Sequence, residues 1–448
     1  MSTSADPRHA GPDRAARDDR DRQLLAWLGA GLLAGGMPNH EVEDDLREVA
    51  WTLGHPRPQL ACSPTGVMLS LRSGQPATFE QVEGGVRLDQ LSDVLALQAS
   101  LRAGRISPED GLARLGRLRA TPHRYRLPGM VGGGILTGIG IGLILAPSLP
   151  SLLFTLAVAP LTPLFVLLGI RSRTLRTITP FLAAFTIAVA AFLAADSGWL
   201  SAPLWSLVAP IAVLLPGALI VTGLTELAAG AMVAGSSRLA FGLTQLLLFV
   251  MGAGAALAVA GGGDALLETT RPVGLGWWAP LVGVAIISTA IALMESVPVR
   301  QAPWLLVTVL ATFAAQTATY AVTEGRWAGA FVGAVVAALV ATLVEYLRPE
   351  LPRMIAFLPS FWLLVPGSLG LISLTQLELG PGAAALAVAD VVVVVTAIDL
   401  GVLVGSALAA PLRHIARQLG LPHLLRLRGR RSSARRAAAP RAREVPRG

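Results

Sequence analysis

The sequence predicts a mostly α-helical polytopic membrane protein: ten transmembrane helices as two inverted five-helix repeats, with a small N-terminal α+β cytoplasmic domain. Three observations predict this. The 448 residues are 53% hydrophobic and 14% charged, with a mean hydropathy of +0.61, whereas soluble chains carry about 25% charged residues. The charge is concentrated in residues 1–126 and beyond about 412, leaving a nearly charge-free interior. A stretch near the middle also recurs 150 residues later.

Residues 1–21 are rich in Arg and Asp and have no apolar run. They are expected to be disordered, not a signal peptide, so the N-terminus is expected in the cytoplasm. Residues 22–126 read as the α+β domain, with helices over 22–34 and 40–53, short strands around 60–63, 67–72 and 78–82, and helices over 88–103 and 108–119. Ser107-Pro108-Glu109-Asp110 is a helix start: Ser caps, Pro fits the first position, and acids suit the positive end of the dipole. Glu41, Asp45 and Glu48 share one helix face, as solvated charge or as a cation or partner surface. The single cysteine, Cys62, and six histidines lie outside the apolar runs in no metal-ligand spacing, and no P-loop or catalytic triad appears. No enzyme activity, metal or cofactor is expected.

Ten segments reach the roughly 20 apolar residues that a spanning helix needs: 127–148, 150–170, 178–197, 203–224, 239–262, 277–296, 303–322, 327–347, 354–374 and 383–409. With the N-terminus inside, the inner loops hold Arg171, Arg173, Arg176, Arg238, Arg300, Arg348 and Arg353, and the outer loops only Arg271 and Arg326, as the positive-inside rule requires. The spans divide into a first half, 127–262, and a second, 277–410. Residues 411–448 form an Arg-rich tail, expected to be disordered and placed to meet anionic lipid. The formal charge of +8 is accounted for by this tail and the inner loops, so no nucleic-acid partner is expected.

LLPGALIVTGLTEL at 214–227 aligns without a gap to LVPGSLGLISLTQL at 364–377, and Leu214, Pro216, Gly217, Leu219, Leu224, Thr225 and Leu227 find identical partners. Five spans per half is an odd number, so the halves must lie in opposite orientation, the architecture of secondary transporters with a midplane site. Pro removes a helical N–H and clashes with the preceding turn. Pro216-Gly217 and Pro366-Gly367 are therefore expected to break their spans, either as packing kinks or as exposed backbone that binds a ligand; the occurrence in both halves favours binding.

These residues resemble the bacterial threonine/serine exporter family. The resemblance is carried by PGALIVTGLTELAAGAMVAGSSRL from Pro216, by GMPNHEVEDDLREVAWTLG and SPTGVMLSL in the soluble part, and by FLPSFWLLVPGSLG from Phe357. It covers about 22–410. It implies a secondary transporter that exports threonine or serine from the bacterial cytoplasm across the inner membrane, with both termini inside. Without an ATP-binding motif, coupling is expected by proton antiport. Ionisable groups inside a span are costly and so are functional candidates. Asp399 and Asp390 in the tenth span fall on roughly opposite faces, with Asp399 favoured as a proton-coupling or ammonium-binding carboxylate over a plain internal hydrogen bond to a neighbouring helix. Thr222, Thr225, Ser368, Ser373 and Thr375 surround the two breaks and suit a hydroxylated amino acid. Glu226, whose repeat partner is Gln376, reads as a gate or an interfacial group, and Arg238 as a carboxylate attractor or a topology anchor. Gly134, Gly138 and Gly142 form a small-residue line for helix packing. Export of a small dicarboxylate and a membrane sensor or scaffold without transport are the alternatives, and self-association stays open.

Overall fold

The structure is a computed structural model and describes residues 12–145, 148–261, 274–348, 351, 353–364 and 381–418. The N-terminal unit is built around helix α1 (Pro12–Ala34). Helix α2 (Asn39–Thr52), strands β1 (Gln59–Ser63), β2 (Gly66–Ser70) and β3 (Thr78–Gln81), and helices α3 (Leu88–Arg102) and α4 (Pro108–Arg119) follow. The strands form one antiparallel sheet in the order β1-β2-β3, with Leu60 opposite Leu69 and Met68 opposite Phe79. Leu24, Leu25, Leu28 and Leu32 recur at helical spacing along α1 and are buried against Leu46, Val67, Leu91 and Leu97. Each such side chain contributes about 1.5–3 kcal/mol of burial. Ser107 caps α4, accepting a hydrogen bond from the Asp110 N–H at 3.1 Å.

The start of α1 corrects an expectation. Residues 12–21, expected to be disordered, are helical. Charge in this stretch is paired: Asp21 meets His55 at 2.8 Å with both side chains buried, and Arg20 binds Glu109. Composition alone hid these long-range partners.

The apolar part contains α5 (Arg126–Leu145), α6 (Leu149–Val158), α7 (Leu161–Arg171), α8 (Arg173–Asp196), α9 (Pro203–Ile211), α10 (Gly217–Ala228), α11 (Met232–Val259), α12 (Trp278–Met294), α13 (Ala302–Thr323), α14 (Arg326–Leu347), α15 (Arg353–Leu364) and α16 (Pro381–Gln418). Among the described residues, seven helical stretches are long and apolar enough to cross a membrane, or eight if the bent pair α9–α10 counts as one span; α6 and α7 together make one of them. Helix α12 has 17 residues and falls just short, and the ninth expected span lies only partly within the described residues. The tail is also corrected at its beginning, because α16 continues through 411–418 and carries Pro411 inside it.

Glycine sets how these helices meet. A Cβ on Gly283 of α12 would lie 2.6 Å from Gly140 O of α5, and one on Gly140 would lie 2.9 Å from Gly283 O. Gly133 of α5 likewise faces Ala290 O. At the α5–α12 crossing the backbones therefore approach closely, with the side chains of Ile287 and Met294 set against Gly140 and Gly133. Gly134, Gly138 and Gly142 face the other side, towards Pro163, Pro210 and Thr155. Two further crossings echo each other. Gly252 of α11 sits against Phe181 O and Ala184 of α8, and Gly401 of α16 sits against Phe331 O and Ala334 of α14. Phe181 and Phe331, like Ala184 and Ala334, are 150 residues apart. Gln316, Thr317 and Thr319 lie on α13, where Gln316 O is 2.9 Å from the position of a Cβ on Gly329.

Candidate functional site

The break expected at Pro216 is present. Helix α9 passes into a 3-10 turn at Ala212–Leu214, Leu215 is extended (φ −64°, ψ 132°), and α10 starts at Gly217 with its axis turned by 66°. An extended residue before Pro is what the proline ring demands. The first backbone bond of the new helix runs from the Ile220 N–H to Pro216 O at 3.1 Å. The N–H groups of Gly217, Ala218 and Leu219 thus precede any intrahelical partner, as at every helix start.

A cavity of about 310 Å³ opens at this break, the lower end of the range for small-molecule sites. Its wall includes every residue from Ala212 to Leu219, together with Thr137, Ile141, Ile144 and Leu145 of α5, Gln245 of α11, Ile287 of α12 and Leu363 of α15. Pro216 and Gly217 were expected at the site. Gln245 and Thr137 were not singled out, although Gln245 is a polar residue inside a long apolar helix, the signal that marked other candidates. Thr137 Oγ1 donates to Gly133 O at 2.9 Å, so its proton is already used within α5. Among the described residues, no charged side chain lines the cavity.

The other expected residues separate into different places. Thr225 Oγ1 lies 2.6 Å from Asp399 Oδ1, joining α10 to α16, and Asp399 is buried. Asp390 instead pairs with Arg326 at 3.1 Å in a half-exposed contact at the other end of α16. Thr222 is half-buried on α10 away from the cavity wall. Pro366, Gly367, Ser368, Ser373, Thr375 and Gln376 lie outside the described residues.

Glu226 and Arg238 form the junction with the N-terminal unit. Glu226 is fully buried and Arg238 nearly so, with Glu226 Oε2 and Arg238 Nε 3.3 Å apart. Asn39, the first residue of α2, donates its backbone N–H to Glu226 Oε1 at 2.9 Å and accepts from Arg238 Nη2 on its side-chain oxygen at 3.1 Å. Its Nδ2 donates to Cys62 O at 2.9 Å. A second contact works alike: Glu295, next after α12, accepts from the Leu88 N–H at the start of α3 at 3.2 Å. Carboxylates suit helix N-termini because they satisfy orphan donors and oppose the dipole. Around Glu295, His123 meets Met294 O at 2.8 Å and Tyr125 donates to Val297 O at 2.9 Å. One buried cluster runs from Leu24 and Leu97 into Ile287, Ile291 and Val297, so the two parts share a core.

The ThrE family, described as "Putative threonine/serine exporter", matches residues 23–260, more than half of the chain. No curated protein and no solved structure matches it.

Proposed function

The chain belongs to the ThrE family of threonine/serine exporters, and on that premise we propose that it carries threonine or serine out of the bacterial cytoplasm by proton antiport. The observation that carries the reading is the cavity at the α9–α10 break. Three N–H groups at the start of α10 offer a seat for a carboxylate, worth about 0.3–1 kcal/mol exposed and up to ~2 when partly buried. Carbonyls at the end of the Ala212–Leu214 turn offer the complementary seat for an ammonium, as in transporters built on broken helices. Gln245 takes the substrate hydroxyl. The charges of a zwitterion are held by backbone dipoles, which suits a wall that has no charged side chain among the described residues. A dicarboxylate would meet there no cation for its second charge.

Ten spans in two inverted halves complete the reading. The likeness of the Gly252 and Gly401 contacts, whose partners Phe181 and Phe331 and Ala184 and Ala334 are 150 residues apart while the glycines are 149 apart, supports it, as does the sequence repeat. The N-terminal unit contacts Glu226, Arg238 and Glu295, at span ends that the arginine distribution assigns to the inner face, which supports a cytoplasmic N-terminus. Asp399, held by Thr225 between α10 and α16, is the proton carrier in this scheme. The membrane potential contributes about 2.3 kcal/mol per charge per 100 mV, so one proton at about 120 mV sustains roughly a hundredfold gradient of a neutral zwitterion.

The test is labelled-threonine flux into proteoliposomes with an imposed proton gradient, in competition with serine, succinate and valine. Gradient-driven flux competed by serine is the expected result. Flux competed by succinate alone moves the protein to dicarboxylates, and no flux of any of them removes the transporter reading.

A further inference from the structure

Asn39 sits on Glu226 and Arg238 as a free amino acid would. Its N–H is on the carboxylate, where a substrate ammonium would donate, and its side-chain oxygen is on the guanidinium, where a substrate carboxylate would accept. Glu226 Oε2 and Arg238 Nε form an ion pair at 3.3 Å without the alignment of a hydrogen bond, and among the described residues neither has a hydrogen-bond partner. A buried pair that is only structural gains stability when its remaining valences are satisfied. Here Asn39 takes up the other two atoms, Glu226 Oε1 and Arg238 Nη2, and these are the atoms that a zwitterion displacing it would meet. Its place is also apt. Glu226 is nine residues beyond Gly217 on α10, about 14 Å along the helix, so the pair and the cavity lie at opposite ends of one short helix.

We propose that Glu226 and Arg238 form an entry site for the zwitterionic substrate on the side of the N-terminal unit, and that Asn39 occupies this site at rest as a built-in competitor. The inference rests on the transporter reading above. Substrate arriving at the site displaces Asn39, releases the start of α2, and loosens the N-terminal unit from α10 and α11. Apparent affinity is then lowered by the fraction of time that Asn39 holds the site.

The decisive variant is Asn39→Pro. Proline is favoured at the first position of a helix, and Pro38 already has the extended conformation that a following proline needs (φ −62°, ψ 141°). The change removes both the N–H and the side-chain oxygen while leaving α2 able to form. In the full-length protein in proteoliposomes, the half-saturating threonine concentration on the side of the N-terminal unit is expected to fall by about tenfold or more. Asn39→Ala keeps the N–H on Glu226, removes the bonds to Arg238 and to Cys62 O, and is expected to give a fall of about threefold. A second measurement uses the wild-type chain. Cys62, its only cysteine, accepts Asn39 Nδ2 on its carbonyl and is half-buried, so saturating threonine is expected to speed its maleimide labelling, whereas succinate is not. Threonine flux with an unchanged half-saturation in both variants, or Cys62 labelling indifferent to threonine, overturns the entry site while leaving the transporter reading intact. Absence of threonine flux in the wild type removes both.

Discussion

Replacing Gln245 with Leu tests how the cavity tells threonine from valine, which has the same shape but a methyl in place of the hydroxyl. Among the described residues, two polar side chains line the cavity, Gln245 and Thr137. The Thr137 proton is engaged with Gly133 O at 2.9 Å, so the Gln245 amide, with two donors and one acceptor, is the group that reads a substrate hydroxyl. A neutral hydrogen bond contributes about 0.5–1.5 kcal/mol net, which is roughly 2- to 13-fold in affinity. Gln245 is half-buried, and water reaching the amide keeps the effect within that range and below the 1–3 kcal/mol of a fully buried orphan. Gln245→Leu is therefore expected to reduce the threonine-over-valine preference by about 2- to 13-fold, mostly by weakening threonine. The assay is counterflow in proteoliposomes, with half-saturating concentrations of both amino acids compared between wild type and variant. A variant with robust flux and an unchanged threonine/valine ratio would refute the assignment of Gln245.

Three further outcomes follow from the packing and the buried charges. Gly140→Ala places a Cβ 2.6 Å from Ile287 Cγ1 and 2.9 Å from Gly283 O; it is expected to cost about 1–3 kcal/mol, read as a lowered melting temperature in detergent, and no change would show that the seam parts freely. Thr225→Val leaves the buried Asp399 without its hydroxyl partner and is expected to destabilise by about 1.5–3 kcal/mol, with Thr225→Ser restoring most of the loss; equal melting of Val and Ser variants would argue against the bond. Burial raises the pKa of Asp45 above 3.8 against the opposing hydrogen bond from Gln98, so the folded state binds more protons than the unfolded state and the wild type gains stability as pH falls through that raised value. Asp45→Asn is thus expected to stabilise at pH 7, with an advantage that fades towards the unfolded value of 3.8; an advantage independent of pH would assign the effect to something other than ionisation.

Much of this molecule was legible because its signals are local. The helix start at Ser107, the strand positions in the N-terminal unit and the bend at Pro216 each follow from a few neighbouring residues. Glu226 and Arg238 were recognised as candidates because charge near an apolar span is costly, but Asn39, which joins them, lies 187 residues from Glu226. Nothing in its own neighbourhood marks it. The same distance effect hid the helical 12–21 segment, whose stabilising partners include His55 and Glu109. Helical geometry puts Asp390 and Asp399 on opposite faces, but only the partner helices show that one meets Arg326 and the other Thr225.

The α5–α12 crossing has a mechanical consequence. Side chains that interlock behave as gear teeth, and turning one helix past another must lift each tooth out of its socket. At Gly283 the closest surface is bare peptide, Gly140 O, whereas the side chains of Met294 and Ile287 reach into the notches left by Gly133 and Gly140, so the teeth of this crossing come from α12 and the sockets from α5. A joint of this kind is closer to a ratchet than to a smooth bearing: it fixes the distance between two helices, and a turn or slide has to carry Ile287 and Met294 out of their sockets. A single added methyl at Gly140 would fill one socket and hold its tooth out.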